Sequence, residues 1–460
     1  MKAVIIGKLM YSRFFIFICV ITIGSLSANA KDTLTGAMVS AYNTSGLLQQ
    51  NRAVLRAADE DVATAASQLA PVVSWASSAS HSGSDSSAYD TSATVSLSAD
   101  YTLYDGGKSS LGLEAAKFSV LATRSKLVSI EQNVLFEAVT AYLGVIRETE
   151  NVSLRENNLS VIREELKAAN DRFEVGEITK TDVALAEARL AASNSALAVA
   201  KGSYEKAVAS YISSIGEKPN FPEYPNFIPE VPNSLVSAIA IALTEHPSID
   251  ELKNLIKVSE INSKIADLST GFTISLESSL SLDEEGETSG SVGVTASGPI
   301  FSGGKLYSSS RKKIALKEQV LARLYSSKIS IEQNVTNAFS SLEVAQAAKL
   351  AAEEQIRATE VALKGVKEEA ILGSRTTLDV LNAEKDLLDA RVQLISAKVD
   401  ENLSLYRLLL QIGRLTADNL GLPVRQYDVK KYYELVKSSP ASKTRSGREL
   451  DNILKTLTQN

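Results

Sequence analysis

The chain has 460 residues, of which 44% are apolar and 22% charged, and this composition excludes a disordered protein. Its formal net charge of −6 argues against nucleic acid as a partner. Only ten prolines and a single Trp interrupt a sequence rich in Ala, Leu, Glu and Lys, which favours long helices.

Residues 1–30 have the layout of a secretory signal peptide. Positive residues precede an apolar run from Phe14 to Leu26, and small residues follow it. The only cysteine, Cys19, lies in this run, so we expect none in the mature chain, whose formal net charge would be −9. No later stretch is long and apolar enough for a transmembrane helix, so a membrane crossing has to be made by strands.

The first repeat, 31–216, begins with helical periodicity that is interrupted near 43–46. Alternation of apolar and polar residues then predicts strands at 71–82 and 91–104, joined by a polar loop at 83–90. A hairpin of two strands is therefore expected between helical segments.

A helical period returns after Gly106 and Gly107 and holds for about 70 residues, on the order of 100 Å of helix. The chain reverses at a tip near 176–182, and a second helix runs back to Ile215. Gly followed by Thr or Ser and then Asp marks the end of one helix and the capped start of the next. The sequence therefore predicts a long helical hairpin.

A proline-rich connector at 217–233 precedes a second repeat, 234–415. This repeat is predicted to contain strands at 272–283 and 290–301 and a helical tip near 373–379. The C-terminal tail, 416–460, is polar, and we expect it to be partly mobile, especially in the basic stretch from Lys437 to Arg448.

Matching residues in the two repeats indicate an internal duplication. The residues that reappear 197 positions later at the second tip are Gly176, Asp182, Val183 and Glu187. The segment 130–134 recurs 201 positions later as 331–335, a difference of about one helical turn.

The four strands suit an outer-membrane barrel in length and alternation, but the smallest such barrels have eight strands. Because open strand edges in lipid leave backbone groups unpaired, other copies must complete the sheet, and three chains give twelve strands. We predict mainly α structure with β, in a homotrimeric 12-stranded β-barrel continuous with an α-helical barrel. The strand residues expected to face lipid are Val95, Leu97, Tyr101, Ile274, Leu276, Val292 and Val294.

Nearly all of the mature sequence resembles the TolC family of outer-membrane channel-tunnel proteins. The resemblance lies in two Gly-Gly-Lys strand-to-helix junctions, the tip motifs VGEITKTDV and LGSRTTLDVLNAE, His246-Pro247 and Gly421-Leu422-Pro423. It implies a trimeric exit duct in the outer membrane of a Gram-negative bacterium, extending into the periplasm. Its implied partners are a periplasmic adaptor (membrane fusion) protein and an inner-membrane ABC or RND-type transporter. The tail around Tyr432 and Tyr433 is similar to members serving type I secretion, whereas drug efflux uses the same architecture.

The resemblance also implies a gate at the periplasmic tips. Arg375 and Thr181 match a pair that ties neighbouring helices in the family, and Asp182 and Asp379 match acidic tip residues. Carboxylates repeated by threefold symmetry repel one another and attract cations at a constriction. Helix capping alone accounts equally well for both aspartates, and Arg375 can also be read as a solvated loop charge.

The sequence departs from the family at two tip positions. Ala370 stands where well-known members have Tyr, and Asn382 where they have a second Asp, so we expect a looser latch and a less acidic ring. The turns expected to dock the adaptor contain Gly176, Glu177, Gly373 and Ser374.

Other functional classes fit the sequence less well. No nucleophile and base combination stands out, and His81 and His246 are far apart, so we expect neither an enzyme nor a cofactor or metal site. A trimeric surface adhesin would carry its strands together at the C terminus. A structural periplasmic coiled coil would leave the alternating strands without a purpose.

Overall fold

The computed structural model of the chain describes residues 32–458 apart from 85–86, 226–228 and 442. The signal peptide predicted at 1–30 lies outside the described residues. Among the helices of the described ranges, none offers an apolar stretch of membrane-spanning length.

The first repeat forms six elements in the order expected from its periodicity. They are α1 (Leu34–Thr44), α2 (Gly46–Ser67), β1 (Val72–Ser84), β2 (Ser87–Tyr104), α3 (Lys108–Glu174) and α4 (Lys180–Ile215). The predicted interruption near 43–46 is the boundary between α1 and α2, where the Ser45 hydroxyl accepts a hydrogen bond from Leu48 N and caps α2.

The second repeat forms the same six elements. They are α5 (Leu235–Glu245), α6 (Pro247–Leu268), β3 (Thr273–Leu282), β4 (Thr288–Ser297), α7 (Lys305–Ile371) and α8 (Thr377–Gln411). The long helices α3 and α7 have the same length, 67 residues, which corresponds to about 100 Å. The fold class of duplicated helical hairpins with four strands is therefore confirmed.

The four strands form one antiparallel sheet in the order β1-β2-β3-β4. Its register places Trp75 and Leu280 opposite Leu97, and Leu276 opposite both Tyr101 and Val294. Because side chains alternate along strands, this register collects the large apolar residues on one face. The other face carries hydroxyl pairs in hydrogen-bond contact, namely Ser74–Ser98, Ser78–Thr94, Ser279–Ser291 and Ser281–Ser289.

The strand boundaries differ from the prediction at two places. The polar run 83–90 was expected to be a loop, but β1 continues to Ser84 and β2 starts at Ser87, because backbone pairing does not require apolar side chains. The last strand was expected at 290–301 but ends at Ser297, since Pro299 has no N–H to donate to a ladder.

The main hydrophobic core lies where the short helices pack against the long ones, and it includes Leu48, Leu135, Ile249 and Leu408. Its polar border holds the residues just before α1 against the connector: the Tyr142 hydroxyl lies 2.7 Å from the carbonyl oxygens of Asp32 and Glu223. The two repeats therefore share one core at this level, midway between the sheet and the tips.

The C-terminal tail is more ordered than its polar composition predicted. It forms α9 (Lys431–Val436) and α10 (Arg445–Thr458), and α9 packs on α2. Tyr432, Val436 and Leu450 are buried in a small cluster with Ala63 of α2. These few apolar residues come together in the folded tail. The average polarity of the tail does not predict such a cluster.

Candidate functional site at the helical tips

Both helical hairpins reverse in the same kind of turn, at the end remote from the sheet. Gly176 and Gly373 have φ of 79° and 76°, a left-handed conformation that glycine adopts at little cost. Glu177 N donates to Arg172 O at 2.9 Å, and Ser374 N donates to Glu369 O at 3.0 Å. This pattern closes the preceding helix, as the sequence predicted for the turns that contain Gly176, Glu177, Gly373 and Ser374.

Each returning helix begins with a capping box. The hydroxyl of Thr179 accepts from Asp182 N, and Oδ2 of Asp182 accepts from Thr179 N at 2.9 Å. Thr376 and Asp379 repeat this arrangement at the second tip. Both aspartates therefore cap their helices, and an additional gating role stays a prediction.

Capping also fixes the charge of the two tip aspartates. Hydrogen bonds from the Thr179 hydroxyl and backbone lower the pKa of Asp182, and those from the Thr376 backbone and hydroxyl lower the pKa of Asp379. Both residues are half-buried. At neutral pH each tip therefore presents one ionised, partly exposed carboxylate.

Arg375 is paired within its own tip. Its Nε lies 2.7 Å from Oε2 of Glu369, the residue six positions earlier. The hydrogen bond with Glu369 raises the pKa of Arg375. Among the described residues, no hydrogen bond joins Arg375 to Thr181, which is exposed at the other tip. Within one chain, Arg375 and Thr181 are thus not brought together, and sequence reasoning missed Glu369.

Asn382 joins the two hairpins. Its Oδ1 accepts a hydrogen bond from Nη2 of Arg189 at 2.9 Å, which links α8 to α4. The neutral amide expected to weaken an acidic ring therefore has a structural partner in the same chain. Arg189 gave no signal in the sequence because its partner is 193 residues away.

A partly buried ion cluster lies next to this link. Lys367 Nζ of α7 lies 2.6 Å from Oε1 of Glu384 on α8 and 3.5 Å from Oε1 of Glu165 on α3. Glu384 is buried, whereas its counterpart in the first repeat, Glu187, is exposed. The duplication located Glu384 in the sequence, but only its burial distinguishes it from Glu187.

The residues expected to face lipid all lie on the apolar face of the sheet. They are Val95, Leu97, Tyr101, Ile274, Leu276, Val292 and Val294. Several are well exposed in the isolated chain, with Val294 at 63% and Val292 at 76%. Within the described residues, the sheet thus exposes an apolar surface without a covering element, at the opposite end of the molecule from the tips.

Comparison with known proteins decides the family. The model of the outer membrane efflux protein family matches residues 38–217 and 266–414, which include both helical hairpins and all four strands. The chain belongs to the outer membrane efflux protein family. The outer-membrane location and the role of an exit duct, both expected from the sequence, are confirmed by this membership.

The chain is also similar to individual proteins in sequence or in fold. The chain is 36% identical to the outer membrane efflux protein BepC of Brucella suis over 89% of its own length and 91% of that protein. It is 25% identical to the alkaline protease secretion protein AprF of Pseudomonas aeruginosa over 66% of each chain. Its fold matches the CmeC outer membrane channel of Campylobacter jejuni with a TM-score of 0.76 and 16% identity, over 89% of this chain and 90% of CmeC.

Proposed function

We propose that three copies of this chain form the outer-membrane duct, with a twelve-stranded β-barrel in the membrane and an α-helical tunnel below it. The observation that carries the proposal is the four-stranded sheet, which is open at β1 and β4 and has one apolar and one hydroxyl-bearing face. In lipid, unpaired edge groups cost several kcal/mol each, so pairing β4 of one copy with β1 of the next stabilises a closed ring.

The two faces of the sheet fit this arrangement. The face with Leu97, Leu276 and Val294 suits contact with hydrocarbon, and the face with Ser78, Ser98 and Ser279 suits a water-filled interior. Eight strands from two copies would enclose a space that side chains fill. Twelve strands leave room for cargo, so the proposal requires a trimer.

The helical tips are proposed to dock on a periplasmic adaptor and, through it, an inner-membrane ABC or RND-type transporter. The two tips repeat the same turn and the same capping box, which supports their use as equivalent contact points around a ring of six hairpins. Thr181, Asp182, Arg375, Asp379 and Asn382 are proposed to form the gate at this end, since they cluster at the two tips.

Type I protein secretion and drug efflux are both proposed uses of the duct. One relative is named for efflux and another for secretion of a protease. Substrate choice belongs mainly to the transporter that feeds such a duct, because the fold alone does not select cargo.

A mass measurement on the protein extracted from outer membranes tests the assembly. Native mass spectrometry in detergent is expected to give three chains per complex. The same material in planar lipid bilayers is expected to give discrete conductance steps. A folded monomer that inserts and conducts would contradict the proposal.

Loss of the protein tests the two uses separately. Deletion is expected to increase sensitivity to small toxic compounds if efflux is served, and to remove polypeptides from the culture medium if secretion is served. Co-purification after crosslinking in cells is expected to recover an adaptor. Unchanged phenotypes in both assays would contradict a role as an export duct.

A further inference from the structure

The two long helices are equal in length but unequal in their surroundings. In the first repeat, α3 packs on α1, α2 and α4 of its own repeat and also on α6 and α8 of the second. In the second repeat, α7 packs mainly on α5, α6 and α8 of its own repeat, and near the tip Lys367 of α7 also reaches Glu165 of α3. One face of α3 is therefore covered by the second repeat, and α7 has a corresponding face without that cover.

The uncovered face can be located residue by residue. One stripe of α3, stepping by four, three, four and four, is buried or half-buried and consists of Val128, Gln132, Leu135, Val139 and Leu143. The residues 201 positions later on α7 form a stripe of the same spacing: Ile329, Gln333, Thr336, Ser340 and Val344. Ile329 is 51% exposed and Val344 67% exposed, and Gln333 is exposed as well.

The buried stripe carries a specific polar contact. Gln132 is 2% exposed, and its Nε2 donates to the carbonyl oxygen of Gly413 at 2.6 Å, across 281 residues. Gly413 follows α8, is buried and has φ of 81°. This hydrogen bond joins the first repeat to the second where α8 ends.

Each partner of this contact has an equivalent residue in the other repeat, and these two equivalents are not in contact within one chain. Gly216 follows α4, has φ of 89° and is exposed, and Gln333 occupies the same place in the motif IEQNV as Gln132 does. The surroundings of the two glycines also match: a Cβ at Gly413 would lie 2.9 Å from His246, and one at Gly216 would lie 2.9 Å from Thr44. Thr44 and His246 are adjacent to equivalent helix boundaries of the two repeats.

We infer that the exposed stripe of α7 is the contact surface for a second copy of this chain, in which Gln333 Nε2 donates to the Gly216 carbonyl oxygen of the neighbour. The inference rests on the proposed trimer and specifies its helical interface. The neighbour's first repeat occupies the position that the second repeat occupies on α3. Ile329 and Val344 are then covered as Val128 and Leu143 are within one chain.

The contact also explains how the assembly closes. The stripe on α7 and the end of α4 at Gly216 are different surfaces, so each copy offers one surface to one neighbour and the other surface to the next. Such a heterologous contact closes into a ring when the rotation between copies divides a full turn. First and second repeats then alternate around the ring. Each copy of α7 is covered by a neighbouring repeat, as α3 is covered within one chain.

Single substitutions test the hydrogen bond. Gln333→Ala removes the donor and leaves the Gly216 carbonyl buried and unpaired in the interface, whereas Gln333 is exposed in the separate chain. We expect the dissociation constant of each interface to rise by about fivefold to tenfold with unchanged helical content by circular dichroism. The matched control is Gln346→Ala, an exposed Gln on the same helix about 140° away around its axis, which is expected to leave assembly unchanged.

Crosslinking tests the proximity without depending on energetics. Because we expect no cysteine in the mature chain, the pair can be introduced without removing others, and Gln333→Cys with Glu217→Cys is expected to join different chains when treated with a short bis-maleimide. The counterpart pair Gln132→Cys with Arg414→Cys is expected to crosslink within one chain and migrate as a monomer. The pair Gln346→Cys with Glu217→Cys serves as the negative control.

The outcomes separate this inference from the proposed function. A trimer that is indifferent to Gln333→Ala and does not crosslink through residues 333 and 217 overturns the interface but leaves the duct intact. A native monomer overturns the trimer itself. Crosslinked trimers together with weakened assembly of the Gln333→Ala variant support both.

Discussion

Lys367 Nζ lies 2.6 Å from Oε1 of Glu384, and this contact joins the two helices of the second hairpin just above its tip. Burial disfavours charge on both side chains, but the hydrogen bond from Lys367 to Glu384 compensates and raises the pKa of Lys367. Burial also keeps the pKa of Glu384 raised, since its Oε2 is buried without a partner. At 2.6 Å, the contact between Lys367 and Glu384 has the length of an ion pair.

Removal of this cation is expected to loosen the second tip. Lys367→Met leaves Glu384 and Glu165 without their shared partner, at a cost of about 1–3 kcal/mol, below that of a fully buried pair because Lys367 is partly exposed. Amide hydrogen exchange in the first turns of α8 should accelerate by about fivefold to a hundredfold. Lys385→Met, which breaks an exposed pair with Asp389, is the control and should leave exchange unchanged. Equal exchange in both variants would contradict a role of the cluster in holding the tip.

Loss of the Arg375 charge is expected to open the proposed gate. Arg375→Ser removes the 2.7 Å contact with Glu369 and leaves that carboxylate unpaired in the tip turn. Reconstituted protein should then show larger leak conductance than the unmodified duct. The control is Arg357→Ser, which breaks a similar exposed pair with Glu354 within α7 and should not change the leak. An unchanged leak for Arg375→Ser would show that this arginine is only a solvated turn charge.

Neutralising Asp379 is expected to separate capping from gating. Asp379→Asn keeps a side-chain oxygen that can accept from Thr376 N, so α8 should still begin at the same residue. It removes three symmetry-related charges from the proposed trimer, so cation selectivity, measured as the reversal potential in a salt gradient, should fall. Asp389→Asn, farther along α8, is the control. The same reversal potential for Asp379→Asn and the unmodified protein would leave capping as its whole role.

Asp59 is expected to make the stability of the chain depend on pH. It is 1% exposed on α2, and neither carboxylate oxygen has a hydrogen-bond partner in the described residues. Burial raises its pKa to about 6, although Arg124 opposes the shift. Because the folded pKa lies above the unfolded one, the contribution of Asp59 to stability is fully present below about pH 4 and is lost as pH rises through about 6.

Asp59→Asn tests this dependence. The amide mimics the protonated acid, so the variant should be more stable than the parent at pH 7.5, by up to about 2–3 kcal/mol. Thermal unfolding followed by circular dichroism between pH 4 and 7.5 should show a flatter pH profile. The exposed Asp61 provides the control through Asp61→Asn. Lower stability of Asp59→Asn at pH 7.5 would mean that attraction to Arg124 outweighs the cost of burying the charge.

The sequence predicted the features that depend on residues close together in the chain. The turn at Gly373 and the capping box of Thr376 and Asp379 involve neighbours within six positions, so a local pattern is sufficient to identify them. Strand alternation likewise predicted which residues share the apolar face. Strand ends were less certain, because pairing near Ser84 depends on a partner strand rather than on hydrophobicity.

Contacts between distant segments were not predictable in this way. Repetition at two spacings pointed to duplicated hairpins but did not say which helix packs on which. The same carboxylate type is buried at Glu384 and exposed at Glu187, and only the packing of α3, α7 and α8 distinguishes them.

By itself, the sequence determined the duplication, the long hairpins with capped tips and the two-faced strands, because each follows from spacings within a helix, a turn or a strand. The tertiary structure alone decided that Gln132 binds Gly413, that Arg375 pairs with Glu369 and that α9 packs on α2. These contacts depend on how entire helices pack together. The same residue pattern along a helix is compatible with several packing arrangements.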